Sequence, residues 1–303
     1  MFSNMERRTG LPLLKLPYLV LREVLKNLEP LEVVRLSKTS RKCKNSIRGL
    51  KKNEYEGDLS IHENPYLTVY STGYPNYIPL FHERPRNQSC LVQLMEEMEN
   101  IRAVLNIKIE KLNYHMRLFE SENKFFVDWL KQYYPVIGSA ELTGNNVSHG
   151  DLEYFFEKIQ ITDSLTLGVE TDEKKEVEIP KNLRLLRVDK GEWIGLEQLL
   201  KLDCAEIRLR NTSLTKNDLY WFLDSWKTWN SHQNLERLYL TLTASENPRR
   251  EIAHFVSYLN VDGIFLGRYA FVRYADGRIA SITPHEDWKT VSFSFTVFNE
   301  TAF

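Results

Sequence analysis

The chain has 303 residues, of which 42% are apolar and 27% are charged, and its formal net charge is −1. These proportions are ordinary for a soluble globular protein, and the length suits one large domain or two to three small ones. A net charge this close to zero gives no global field that would attract nucleic acid or an anionic membrane. We therefore expect a soluble protein with neither nucleic acid nor a membrane as its partner.

The cysteines indicate the compartment. Cys43, Cys90 and Cys204 lie far apart and are odd in number, which favours free thiols in a reducing environment over a disulfide framework. The first ten residues lack the apolar segment of a signal peptide, and no apolar run reaches the ~18 residues of a membrane span. We predict an intracellular protein that is cytoplasmic, nuclear or both.

Residues 11–47 predict three short helices. The first presents one apolar face whose members recur at helical spacing: Leu21, Val24, Leu25 and Leu28. Pro17 is placed just inside its start, Glu29-Pro30 ends it and begins a second helix, and a third runs from about Ser40 to Leu50. Its many basic residues are interpreted as a solvated face, because no aromatic residue alternates with them. Three such helices bury little surface, so we expect this segment to need a partner surface.

Residues 53–104 are predicted to be a connector with short strands and one helix. Three short runs have strand character: Leu59–Ile61, Tyr66–Tyr70 and Tyr77–Phe81. Ser89 is expected to cap a helix that continues to about Leu105, with apolar residues along one side.

A gapless internal repeat relates residues 140–157 to residues 207–224. Each copy predicts a strand, a polar corner and a helix that begins with Ser148-x-x-Asp151 or Thr215-x-x-Asp218, the spacing of a capping box. We expect two pairs of residues to occupy equivalent buried positions in these helices: Leu152 with Leu219, and Phe155 with Phe222.

Leucines separated by 21 to 23 residues suggest stacked repeats. They are Leu142, Leu165, Leu186 and Leu209, and their spacing falls in the range of leucine-rich repeats. We therefore predict an irregular leucine-rich-repeat-like α/β solenoid over residues 105–303, with a plain α/β sandwich as the alternative. Its C-terminal end is predicted to be β-rich, with a hairpin at Asp276-Gly277 and an alternating strand over residues 291–298. The fold class is thus α+β or α/β, after a small all-α N-terminal module.

Chemistry-bearing motifs are missing from the sequence. It holds no zinc-binding, nucleophile-elbow, dinucleotide-binding or phosphate-loop motif, and His149 is interpreted as an exposed helix start. We assign no catalytic residue, no cofactor and no metal. A hydrolase or transferase would need a nucleophile–base pair or a metal site that the sequence does not offer.

The order of features in residues 11–47 resembles an F-box. The resemblance rests on Leu16-Pro17, the apolar helix, Glu29-Pro30 and the basic segment Ser40-Arg41-Lys42. Cys43 stands where F-boxes usually carry Trp, and Glu replaces the usual Asp before the second proline. The rest of the chain resembles the F-box-associated domain that accompanies nematode F-boxes. The resemblance rests on four features: Phe125–Leu130, the Asp-Leu helix starts at residues 151 and 218, Leu235–Leu238 and Asp276–Ala280.

The resemblance implies a non-catalytic substrate receptor of an SCF-type cullin–RING ubiquitin ligase. Residues 9–52 would bind a Skp-family adaptor and, through it, the cullin and RING subunits, while residues 105–303 would hold an unknown target protein. The residues expected at the adaptor are apolar or proline: Leu14, Leu16, Pro17, Val20, Val24, Leu25, Leu28, Pro30, Leu31 and Leu36. The alternative is a leucine-rich-repeat-like interaction scaffold without ligase association.

Overall fold

The structure is a computed structural model. It describes residues 13–49, 54–71, 75–80, 90–119, 121–171, 175–228, 231–242, 265–266, 269–273, 278–286 and 291–298. The chain forms two compact units, the first made of residues up to 59 together with 64–109, and the second of residues 60–63 together with 110 onward.

The first unit contains helices and a few short strands. Its elements are a 3-10 turn (Leu13–Lys15), α1 (Tyr18–Lys26), α2 (Pro30–Thr39), α3 (Arg41–Arg48), β1 (Glu54–Ile61), β2 (Tyr66–Tyr70), β3 (Pro75–Pro79) and α4 (Cys90–Arg102). The three predicted N-terminal helices and the three predicted strands are thus present. Pro17 is the cap that precedes α1 rather than its first residue, Leu50 and Phe81 lie outside the described residues, and Ser89 does as well.

The second unit is built on a large mixed sheet. Its elements are β4 (Asn106–His115), which begins in the first unit, α5 (Asn123–Tyr133), β5 (Val136–Val147), α6 (His149–Lys158), β6 (Gln160–Thr171), β7 (Leu185–Val188), α7 (Leu196–Lys201), β8 (Glu206–Leu209), α8 (Lys216–Lys227), β9 (Arg237–Leu242), β10 (Phe265–Leu266), β11 (Tyr269–Arg273), β12 (Ile279–Glu286) and β13 (Val291–Phe298). The strand order is β10-β11-β12-β13-β9-β8-β7-β6-β5-β4. Strands β4 to β9 are parallel neighbours in sequence order, and β13 joins β9 in the antiparallel sense. The predicted mixed α/β fold with N-terminal helices is confirmed, whereas the leucine-rich-repeat assignment stays a hypothesis.

Two rows of apolar side chains cross the sheet on the side that faces the helices. The first row is Leu112, Ala140, Leu165, Leu186, Ile207, Leu238 and Phe295; the second is Tyr114, Leu142, Leu167, Val188, Leu209, Leu240 and Phe293. Every member is buried. Aromatic contacts join both ends of these rows to the helices, since Tyr114 packs on Phe126 of α5 and Phe295 packs on Trp226 of α8.

The four leucines that recur every 21 to 23 residues do not all lie in one of these rows. Leu165 pairs with Ala140, and Leu142 pairs with Leu167, so Leu142 and Leu165 differ in register by two residues. The same shift separates Leu186 from Leu209. Side chains alternate with a period of two, so a shift by two keeps the same face buried and leaves the hydrophobic pattern unchanged.

The repeated helices α6 and α8 bury the expected residues. Leu152, Leu219, Phe155 and Phe222 are between 0% and 4% exposed, which confirms the equivalence of both pairs. The capping box is present at Thr215, whose hydroxyl accepts from the Asp218 N–H.

At Ser148 the predicted capping box is wrong. The Asp151 carboxylate instead accepts a hydrogen bond from Asn123 Nδ2 at 2.8 Å. Asn123, a residue of α5, is thus the donor where a capping box would have the Ser148 N–H. His149 is also not the exposed helix start that we predict, because only 9% of it is exposed and its Nε2 lies 3.2 Å from Glu153 Oε1.

The C-terminal strands follow the expected pattern with one departure. β11 and β12 pair as an antiparallel hairpin, while the predicted Asp-Gly turn lies outside the described residues. In β13, Phe293 and Phe295 are buried as predicted, but Ser292 is buried as well. A strand between two neighbours on a wide sheet shields part of its polar face too.

The buried aromatic residue Phe155 provides a test of the repeat. We expect Phe155→Ala to lower the free energy of unfolding by about 3–5 kcal/mol, since it leaves a cavity where the ring has no exposure. Phe156, which is half-buried in the same helix, is the matched control, and its alanine variant should lose less than half as much. Urea denaturation of the full chain measures both, and equal losses would contradict the buried position of Phe155.

His232 predicts that acid destabilises the second unit. It is buried with a ring centroid 4.9 Å from that of Phe222, and burial lowers its pKa from 6.5 to about 4. Between these two values the unfolded chain binds a proton that the folded chain does not, so stability falls as pH falls below about 6.5. One such histidine should cost about 2 kcal/mol on going from about pH 7 to about pH 5.

The variant His232→Asn isolates this effect, because asparagine tolerates the positive φ of 56° at this position. Its unfolding free energy should depend less steeply on pH over the same range in urea titrations. An unchanged slope would show that His232 does not titrate on unfolding.

Candidate functional site

Helix α1 carries apolar residues on two sides. Leu21 and Leu25 are 7% and 9% exposed and belong to the core of the first unit. Around the rest of the first turn, Tyr18, Leu19 and Val20 are 58%, 65% and 46% exposed. Single exposed apolar residues are common, but three consecutive ones, which point about 100° apart around the helix, leave a broad apolar surface that water solvates poorly. We call Tyr18, Leu19 and Val20 the α1 patch.

The ten predicted adaptor residues separate into three groups by exposure. Pro17 and Val20 are exposed; Leu16, Val24, Leu28, Leu31 and Leu36 are half-buried; Leu25 and Pro30 are buried. Leu14 lies in the 3-10 turn, and its side chain is outside the described part of the structure. Leu25 and Pro30 pack inside the first unit and support the helices. The contact of all ten residues with the adaptor stays a prediction.

Sequence reasoning missed Tyr18 and Leu19, although a signal was present. Residues 18–21 are four consecutive apolar residues, and at 3.6 residues per turn they surround nearly the whole helix. A helix at the surface of a small unit can bury only part of that circumference, so some of these side chains must stay exposed.

The break between α1 and α2 is held by hydrogen bonds. Pro30 is the first residue of α2, where its missing N–H costs nothing, and the Glu29 N–H donates to Glu32 Oε2 at 2.9 Å. The Glu29 carboxylate accepts from Ser71 Oγ at 2.7 Å and from Asn76 Nδ2 at 3.1 Å. A glutamate at this position thus contacts the strand region of the same unit.

The basic residues of α2 and α3 are partly used inside the first unit. Lys38 pairs with Glu97 of α4, and Lys44 Nζ donates to Asn100 Oδ1 at 2.5 Å. At the start of α3 the Cys43 N–H donates to Ser40 Oγ at 3.1 Å. A side-chain hydrogen bond with Ser40 lowers the pKa of the Cys43 thiol, and a second one with Thr39 lowers it further. Cys43 as a whole residue is only 8% exposed, and we assign it no chemical role.

The solvent-facing side of the sheet carries a second candidate surface. Arginines from three neighbouring strands line a groove with a volume of about 380 Å³, and β13 closes its far edge. The charged members of this arginine surface are Arg187, Arg208, Arg210, Arg237, Glu206 and Asp189, of which the first five line the groove and Asp189 pairs with two of them. In the described ranges no group of three or more His, Cys, Asp and Glu side chains could hold a metal ion. No helix there is long and apolar enough to cross a membrane.

Comparison with protein families identifies both parts of the chain. The family profile of the F-box domain matches residues 13–55, and the profile described as F-box associated matches residues 177–240. The two matches fit an F-box protein with an F-box-associated domain. No curated protein matches the chain. F-box domains in general bind Skp-family adaptors. The predicted resemblance to an F-box followed by an F-box-associated domain is confirmed, and its nematode type stays a prediction. The exact domain boundaries at residues 9, 52 and 105 stay predictions.

The two sides of α1 should respond differently to truncation. We expect Leu25→Ala to lower the free energy of unfolding by about 2–5 kcal/mol, because it removes a buried side chain. Leu19→Ala, in the same helix, should change it by less than about 0.5 kcal/mol because the side chain is mostly in water. Guanidinium denaturation of the full chain compares them, and a large loss for Leu19→Ala would show that this residue is part of the core.

Proposed function

We propose that this F-box protein is the substrate-recognition subunit of an SCF-type cullin–RING ubiquitin ligase. The F-box binds the Skp-family adaptor and through it the cullin and RING subunits, and residues 105–303 hold a target protein. The two family matches support the general class. The observation that carries the proposal for this chain is the α1 patch, which exposes three large apolar side chains on the first F-box helix.

The α1 patch has the properties expected at the centre of a protein interface. A standard interface buries roughly 800 Å² on each partner, and a few large apolar or aromatic anchors carry most of its free energy. Tyr18 and Leu19 are such anchors, and the half-buried Leu16 and Val24 lie close to them in sequence. Burial of these groups against the adaptor removes from water the apolar area that the free chain leaves exposed.

The second unit has the features of a platform for a target. Six consecutive parallel strands form a sheet. The helices cover its apolar face, and its polar face points to solvent. This order of strands supports the proposal of a leucine-rich-repeat-like arrangement, whose units stack because each has an apolar face that only its neighbour buries. The charged strand residues of that face are side chains that a bound protein could contact.

Ubiquitin transfer itself is assigned to other subunits. A receptor that holds the target near the transferring subunit converts a bimolecular encounter into one with a high effective concentration. In this proposal the chain contributes binding and orientation only. No catalytic residue, cofactor or metal is proposed for it.

Charge placed in the α1 patch tests adaptor binding. We expect Leu19→Asp and Val20→Asp each to lower adaptor affinity by ~10³-fold, because a carboxylate would be desolvated without a partner in the interface. Arg35→Glu, an exposed charge change on α2, should cost less than ~10-fold, since exposed charges contribute little. Calorimetric titration of the full chain with the adaptor gives the affinities, and thermal unfolding shows that the variants remain folded.

Leu25→Asp is unsuitable for this purpose because Leu25 is in the core. Unchanged affinity in folded Leu19→Asp and Val20→Asp variants would remove the α1 patch from the interface. Failure of the unmodified chain to bind the adaptor, together with recovery of other partners from cells, would instead support the interaction scaffold.

A further inference from the structure

The parallel sheet of the second unit leaves one face open to solvent. Parallel sheets are usually covered on both faces, but here several arginine side chains on the face away from the helices are exposed to solvent, although Glu206 on that face is buried. In β8, Ile207 and Leu209 are fully buried, whereas the side chain of Arg208 and that of Arg210, the residue after the strand, are 49% and 53% exposed. An open parallel sheet with large charged side chains is a surface available to a partner.

The arginine surface carries an excess of positive charge. Arg187 and Arg208 lie directly opposite each other on β7 and β8, and the next residue in that row is Tyr239 of β9. Arg237 lies opposite Glu206 in the adjacent row, with 60% of its side chain exposed. The surface has four arginines and two acids among the described residues, so its balance is +2, in contrast to the chain's overall −1.

The two acids are less exposed than the arginines and form ion pairs with them. The side chain of Glu206 is only 11% exposed and pairs with Arg208, while its Oε2 lies 3.7 Å from an Arg237 nitrogen. The Asp189 carboxylate lies 3.0 Å from Arg187 Nε and 3.6 Å from Arg210 Nη1. A guanidinium has five N–H donors in a fixed plane, and each acid is shared by two of them. Donors that point to solvent therefore remain for an anionic partner.

We propose that this arginine surface binds an acidic, extended segment of the target protein, with carboxylate or phosphate groups on its side chains. Charge complementarity decides the occupant, because arginine forks pair with either oxyanion in a bidentate way. The four strands β7, β8, β9 and β13 span ~14 Å at the usual strand spacing, which about four or five extended residues cross. The surface lies almost entirely in the residues matched by the F-box-associated profile. This inference rests on the proposed function, since it names the target class for the same domain.

A nucleic acid fits the surface less well. Single-stranded nucleic acids bind where basic residues alternate with exposed aromatic platforms. Among the described residues that line the groove, the aromatic side chains are Tyr239, which is half-buried, and Phe295, which belongs to the buried row. An RNA oligonucleotide therefore serves as a competitor in the test.

The test uses the full chain and three labelled peptides of about ten residues: one glutamate-rich, one carrying phosphoserines, and a glutamine-rich peptide of the same length. Fluorescence anisotropy at low and physiological salt measures their dissociation constants. We expect the acidic peptides to bind at least about tenfold more tightly than the neutral one, and salt to weaken them because exposed charges are screened. Binding of the phosphoserine peptide alone would assign phosphate as the anion, and binding of both acidic peptides would assign carboxylates as sufficient.

Charge reversal identifies the residues. Arg208→Glu and Arg237→Glu should each weaken the binding of acidic peptides by about tenfold or more. Lys131→Glu is the same charge change at an exposed residue of α5, and it should leave the affinity within about twofold. Arg208→Lys keeps the charge but loses the fork, so an intermediate affinity is expected. Thermal unfolding confirms that each variant is folded, and Arg237→Ala replaces any that is not.

Three results would overturn the inference: equal binding of acidic and neutral peptides, equal affinity in Arg208→Glu and Lys131→Glu, or tighter binding of RNA than of either acidic peptide. Adaptor binding by the same preparations is measured separately. Adaptor binding without acidic-peptide binding would refute this inference alone. Acidic-peptide binding without adaptor binding would refute the proposed function and leave the anion surface standing.

Discussion

The second unit depends on the two rows of apolar side chains that run across its strands. A strand of four residues such as β7 or β8 supplies one side chain to each row and cannot bury it alone. Each row member is covered by its neighbours on the adjacent strands and by the helix layer, as the contact of Phe295 with Trp226 shows. The free energy of burial therefore accumulates along the sheet rather than within any one strand.

The same register that aligns the rows also arranges the opposite face. Because side chains alternate along each strand, fixing Leu186 opposite Ile207 necessarily places Arg187 opposite Arg208. Like charges directly opposite each other are unfavourable, and the acids in the adjacent rows compensate by pairing with two arginines each. A concentration of arginines on a sheet is tolerated here because the helix-facing core sets the register.

In the first unit a similar division occurs on a single helix. The buried Leu21 and Leu25 hold α1 against the unit, which leaves Tyr18, Leu19 and Val20 in solvent. The hydrogen bonds around Glu29 and the ion pair between Lys38 and Glu97 attach α2 to the rest of the unit. The F-box helices thus belong to the core of the first unit, and their exposed apolar side chains are surplus to that core.

Local patterns in the sequence were sufficient for the elements. Proline at residue 30, the Ser40 cap and the alternation in residues 291–298 act over a few residues, so helices, strands and the F-box order could be predicted. The internal repeat predicted the burial of Phe155 and Phe222 for the same reason, because an apolar position at fixed helical spacing needs no knowledge of its partner.

Tertiary contacts decided the rest. The pairing of Leu165 with Ala140 rather than Leu142 is invisible to a pattern of period two. The Asp151 carboxylate accepts a hydrogen bond from Asn123, which is 28 residues away, rather than capping its own helix. His149 is buried, although comparison with the repeat predicts that it is exposed. Whether Leu25 or Leu19 of α1 faces the core depends on the rest of the unit that packs against the helix. Sequence determined which residues are apolar or charged and how they are spaced, while the meeting of distant segments determined which of them remain available to a partner.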